Sequence, residues 1–155
     1  MLKKYRNGDV LSIPVTDEKI SIAQVVEKLH GNVLLAVFSE LLDVNDSRDV
    51  ESFELDQPIF LLETMDLRIK SGDWSALGNR EVSKSIATPE YKVWVDPPGE
   101  YRIQDIHGNL GAAISSKRAG GMKLHKSFSP AVVEAALRGF HELGPWRPAF
   151  DELTF

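Results

Sequence analysis

The feature that most constrains this chain is a continuous apolar run, Val33-Leu34-Leu35-Ala36-Val37-Phe38. It follows the turn-forming His30-Gly31-Asn32 and precedes an acidic stretch, so it reads as a β-strand buried on both faces. The residues before it supply strand neighbours. Asp9 to Val15 is an extended segment in which Pro14 cannot donate to a ladder, so this strand should lie at an edge or end there. Ile20, Ile22 and Val25 alternate with Ser21 and Gln24, and the alternation slips near Ala23, which predicts a bulge or bend before Val26 continues toward Leu29. Three strands joined by short turns make a meander.

Farther along, Pro58 introduces the strand Ile59-Phe60-Leu61-Leu62. Turn signals at Ser71-Gly72-Asp73 and Leu77-Gly78-Asn79-Arg80 predict a loop held down by Trp74. Tyr91 to Val95 and Tyr101 to Ile106 form a hairpin around Pro97-Pro98-Gly99, with Trp94 on the face opposite Tyr91, Val93 and Val95 and expected in a core. His107-Gly108-Asn109 is a further turn, and Ser115 to Lys126, with Lys117, Arg118, Lys123 and Lys126, reads as a basic, flexible loop. The clearest helix starts at Ser129 as N-cap with Pro130 in the first helical position. It carries Val132, Val133, Ala136, Leu137 and Phe140 along one side and stops at Gly144-Pro145. Trp146, Pro148 and Phe150 form an extended tail that lies back on the body.

These elements predict a single α+β domain over residues 1–155: mostly antiparallel sheet over 8–114, a basic loop over 115–126, and a C-terminal helix and tail over 129–155 packed on the sheet. A flat meander and a rolled, barrel-like sheet share these patterns. A chain of 155 residues buries enough surface to fold without a metal or disulfide. Cysteine is absent, which removes disulfides, thiolate nucleophiles and thiolate metal ligands and points to a reducing, cytoplasmic setting. The N-terminus lacks the apolar run of a signal peptide, and no segment approaches a membrane span. The net charge of -5 disfavours binding to a phosphate backbone and suits a basic partner.

The charge is concentrated. Glu40, Asp43, Asp46, Asp49, Glu51, Glu54 and Asp56 are opposed between residues 40 and 56 only by Arg48, while Val50, Phe53 and Leu55 interrupt the run as candidate anchors, with a short helical turn among them. Such a segment is either a solvated loop or a face that steers a basic partner into contact. Searches for chemistry find no centre. His30, His107, His125 and His141 form no metal-binding motif, no serine stands in a nucleophile-elbow pattern, and the phosphate-loop pattern is missing around Ala119-Gly120-Gly121. No catalytic residue, metal or cofactor is expected, and the chain reads as a binder, not an enzyme.

Lys4 through Pro14, above all Gly8-Asp9-Val10 with Ile13-Pro14, the strands Ile20–Val26 and Val33–Phe38, and Pro58-Ile59-Phe60 leading to Gly72-Asp73-Trp74 and Leu77-Gly78 together resemble the immunity protein 26 family of bacterial polymorphic-toxin and contact-dependent inhibition systems. The resemblance covers about the first half of the chain. Where members often carry a glycine and a basic residue before the valine of the second strand, Ala23-Gln24-Val25 stands here. The resemblance implies a small cytoplasmic protein that binds and neutralises a cognate toxin domain, for which the seven carboxylates are the expected contact surface. A different class remains open, a barrel-like module binding peptide, carbohydrate or nucleic acid through Trp74 and Trp94 with the basic Lys117 to Lys126 loop nearby. So does a small enzyme whose residues converge only on folding.

Overall fold

A computed structural model describes residues 1–154 and divides the chain into two compact units. One is Met1–Ile86 joined by the segment from Ser127 onward, and the other is Ala87–Lys126. The stretch expected as one sheet-rich region, 8–114, is thus shared between them, and each unit carries its own sheet. In chain order the elements are β1 (Asp9–Pro14), β2 (Lys19–Lys28), β3 (Asn32–Asp43), β4 (Phe60–Met65), α1 (Leu67–Ser71) and β5 (Ser75–Asn79). There follow β6 (Tyr91–Val95), β7 (Glu100–Gln104), β8 (Leu110–Ile114), α2 (Ser116–Gly120), β9 (Ser127–Phe128) and α3 (Pro130–Phe140). The larger sheet has the order β5-β1-β2-β3-β4-β9 and the smaller β6-β7-β8, so the fold is α+β. Strand pairing is antiparallel except between β4 and β9. The larger sheet ends at β5 and β9 and does not close into a barrel.

Val33 to Phe38 sits in the middle of this sheet, each residue at most 2% exposed, because both faces are covered. One face presents Leu11, Ile13, Ala23, Val25, Val33, Leu35, Val37, Phe60 and Leu62 to Trp74, to Val133, Ala136 and Leu137 of α3, and to Phe150 and Leu153. The other face carries Val10, Ile22, Leu34 and Ala36, all fully buried. At the β5 end of this face lies a 3-10 turn, Val50–Ser52. Gly78 pairs with Val10, and a Cβ at Gly78 would come within 2.9 Å of Val50 Cγ2. The acidic excursion is therefore also a lid on the second face of the sheet.

The slip expected near Ala23 is a bulge whose extra residues lie on the partner strand. Ala23 pairs with Val37 and Ser21 with Leu41, so Phe38, Ser39 and Glu40 stand opposite Ile22 alone. Ser21 Oγ lies 3.1 Å from the Phe38 carbonyl and 2.8 Å from that of Glu40, supplying a donor where the ladder is interrupted. Pro14 ends β1 as expected. Pairing with β5 stops at Ser12, so the missing N–H leaves no gap in that ladder.

Several expectations change. Where a loop was expected after Trp74, β5 forms. All five of its residues are exposed, so it joins the sheet by backbone pairing to β1 and leaves no apolar alternation to read. The helix α1 was not expected. It is only five residues long and is closed by Gly72 at φ +85, whose N–H donates to the Ile69 carbonyl. The basic loop contains α2, whose N-terminus is capped by Ser115 accepting from the Arg118 N–H at 3.2 Å. Ser129 caps α3 as expected, accepting from the Val132 N–H, but the helix ends at Phe140 instead of running to Gly144. The left-handed residue is Glu142 at φ 60, and the chain folds back so tightly that a Cβ on Gly139 would meet the Pro145 carbonyl oxygen at 2.9 Å. The tail returns to the core as a 3-10 helix, Pro148–Leu153, that buries Phe150 and Leu153.

In the smaller unit Tyr91 is buried and stacks on His125 at 4.7 Å. Trp94, expected in a core, is 55% exposed. Strand alternation correctly put it opposite Tyr91, but that side of the β6 strand is solvated. Asp105 holds the turn between β7 and β8. Backbone N–H groups of Asn109 and His107 donate to its carboxylate, which keeps its pKa below the ordinary value.

Candidate functional site

The seven carboxylates occupy the end of β3 and the crossing that returns the chain to β4. Pairing between β3 and β4 stops at Val37 and Phe60, while β3 runs on to Asp43 beside β2. The crossing between them is pinned from below, since Val50, Phe53 and Leu55 are at most 9% exposed. It is also pinned from the side. Arg80, just past β5, donates from Nη1 to the carbonyls of Phe53 at 2.6 Å and Val50 at 3.2 Å. The Arg80 carbonyl in turn accepts from Gln24 Nε2 at 2.9 Å, tying the clamp to the sheet centre. Asp49 caps the 3-10 turn by accepting from the Glu51 N–H.

The acids are not equivalent. Glu40 and Asp46 both pair with Arg48, at 2.9 and 3.4 Å, and the hydrogen bond that Arg48 donates to Glu40 is the main cause of the raised pKa of that guanidinium. Arg48 also lies over the Phe53 ring at 5.3 Å. Asp43 pairs with Lys19, and Glu51 with Arg80 at 3.7 Å. Glu54 and Asp56 are exposed and have no ion pair among the described residues. Together with Glu40 they line a cleft of about 410 Å³ whose remaining walls are Phe38, Ser39 and Gln57. The structure thus brings three of the seven to one cleft, spreads Asp43, Asp46 and Glu51 over separate ion pairs, and commits Asp49 to a backbone cap.

On the core side of the same ladder end stands an aromatic group that was not expected as a surface. Phe60 stacks on Trp146 at 6.1 Å and meets Phe140 edge-on at 6.3 Å. Phe140, Leu143 and Trp146 are each more than 40% exposed. Phe140 had been counted with the buried stripe of the helix. It falls at the last helical residue, where it meets Phe60 edge-on and is left 42% exposed. The only trace of this patch in the sequence is the aromatic content of the tail.

The other candidates separate cleanly. Trp74 is 1% exposed with its indole N–H 3.4 Å from Glu134 Oε2, so it is a core residue and presents no ligand surface. Trp94 lies edge-on to Tyr101 at 4.9 Å with the Lys92 ammonium over the Tyr101 ring, and is open to solvent. Burial holds the His141 imidazole below the usual histidine pKa, and its Nε2 is buried without a hydrogen-bond partner. Among the described residues, no three His, Asp or Glu side chains are grouped to hold a metal ion, and no helix is long and apolar enough to cross a membrane. No family model, curated protein or solved structure matches this chain.

Proposed function

We propose that this chain is a cytoplasmic immunity protein that binds and neutralises a cognate, basic bacterial toxin domain, with the acidic cleft beside β3 as its docking surface. The observation that carries this reading is the pair Glu54 and Asp56. Both lack ion pairs among the described residues, on a backbone held by three buried anchors and the Arg80 clamp. A surface ordered before contact loses little conformational freedom on binding. Uncompensated carboxylates accelerate encounter with a basic partner and disfavour acidic ones. Against a toxin that grips nucleic acid, they would stand where phosphates otherwise lie.

The test is to look for a large toxin gene immediately upstream and to co-express its C-terminal domain with this chain. The parent chain should restore growth. The double variant Glu54→Lys/Asp56→Lys, with an unchanged circular dichroism spectrum, should lose protection, and its association rate at low salt should fall on the order of tenfold. Unchanged protection and rate in a folded double variant would overturn the reading. One observation favours a second reading, a ligand-binding module in the smaller unit. The exposed Trp94 beside Tyr101 and Lys92 is a stacking surface for a sugar or base, and salt-dependent oligonucleotide binding abolished by Trp94→Ala would support it.

A further inference from the structure

We infer that the open side of β3 beyond Val37 receives an extended segment of the partner as an added strand, and that this segment alternates basic and apolar residues. The inference rests on the docking surface proposed above and specifies what occupies it. Three observations lead to it. From Ser39 to Asp43, β3 has β2 on one side and, among the described residues, no strand on the other, because β4 begins only opposite Val37. Backbone donors and acceptors along such an edge are a template for a further strand. The bulge at Phe38 to Glu40 lies where β3 parts from β4, and there the cleft of about 410 Å³ opens instead of a continued ladder.

The two faces at this edge differ in chemistry. On one side lie Glu40, Glu54 and Asp56, with Phe38, a buried residue outside the main core cluster. On the other, Leu41 packs against that core and Phe60 leads to the exposed Phe140 and Trp146. Successive side chains of an added strand point to opposite faces, so one set meets carboxylates and the other meets aromatic surface. Buried aromatic anchors ringed by polar contacts are the usual source of binding energy in protein interfaces. The carboxylates also discriminate, since a second copy of this edge would bring like charges together.

The test uses the full chain and a synthetic peptide of about eight residues alternating Lys and Val, a typical strand length. The peptide should bind with an affinity that falls with salt, and should slow amide hydrogen exchange within Ser39–Asp43. Two further peptides carry N-methyl groups on alternate residues, one set on each hydrogen-bonding edge. Only one edge can face β3, so one of the two should lose about tenfold or more in affinity, the equivalent of one or two net hydrogen bonds, while the other keeps it. Equal binding by both N-methylated peptides and the parent overturns strand addition while leaving the acidic docking surface standing. Equal binding by a peptide with its lysines and valines in two blocks overturns the alternation. Parent-peptide binding that survives in Glu54→Lys/Asp56→Lys overturns the location, and no binding by the parent peptide overturns the inference as a whole. The growth-protection assay decides the immunity reading separately.

Discussion

Arg80 is the residue on which the order of the acidic surface most directly depends, and its removal should be measurable in both stability and local exchange. In Arg80→Met the aliphatic stem is largely kept while the two donations to the Val50 and Phe53 carbonyls are lost. Hydrogen bonds from a charged donor contribute about 1.5–3 kcal/mol each. The Val50 contact is long at 3.2 Å, and the Arg80 side chain is 24% exposed, so water can replace part of what is lost. The expected cost is therefore nearer to one such bond than two, about 2 kcal/mol, or a fall of about 4–8 °C in Tm for a chain of this length. The ion pair with Glu51 adds little. Its carboxylate is 72% exposed, and Glu51→Gln should shift stability by less than about 0.5 kcal/mol. Thermal melts of the three proteins, with amide exchange followed at Ser52 and Phe53, separate the carbonyl clamp from the ion pair. The reasoning fails if Arg80→Met melts with the parent and exchanges no faster at those amides, or if Glu51→Gln costs as much as Arg80→Met.

Ser129→Ala removes the side-chain acceptor that caps the Val132 N–H and should cost about 1 kcal/mol, read as a lower melting midpoint. Trp74→Ala should cost about 3–5 kcal/mol in chemical denaturation, and Trp94→Ala less than about 0.5 kcal/mol, because one indole is in the core and the other in solvent. Acrylamide-quenchable fluorescence should fall in Trp94→Ala, with the exposed Trp146 supplying what remains, and should be unchanged in Trp74→Ala wherever that variant stays folded. For His141, burial lowers the folded pKa below the ordinary 6.5, so the unfolded chain takes up the proton more readily. Its contribution is complete above that ordinary value and is lost as pH falls through it. His141→Asn should therefore narrow the decline in Tm between about pH 7.5 and pH 5, and an identical decline in parent and variant would refute the assignment.

The larger sheet was legible because its signals are local. The run Val33–Phe38, the slip at Ala23 and the Ser129-Pro130 cap each express a steric or hydrogen-bonding rule within a few residues, and each has its counterpart in the structure. The anchors Val50, Phe53 and Leu55 were legible for the same reason, as apolar residues in a charged run. The misses share the opposite property. The strand β5 buries no side chain and is held by backbone pairing to β1 and by the Asn79 amide donating to Asp9, α1 and α2 are too short for a helical period, and the end of α3 is decided by how Pro145 packs on Gly139. Trp94 had the correct alternation, yet alternation names two faces without saying which one water covers.

For the acidic segment the division is clearest. Composition alone established that Glu40 to Asp56 is negative, since seven acids against Arg48 is a property of the chain in any conformation. Which of those charges remain uncompensated depends on cations brought from elsewhere: Lys19 from β2 and Arg80 from the far edge of the sheet, together with the turn that aims Arg48 at Glu40 and Asp46. Coulombic pairing acts over a few ångströms in space, whatever the separation along the chain. The narrowing from seven carboxylates to Glu54, Asp56 and the shared Glu40 was therefore decided by the tertiary structure, as was the open edge of β3 beside them.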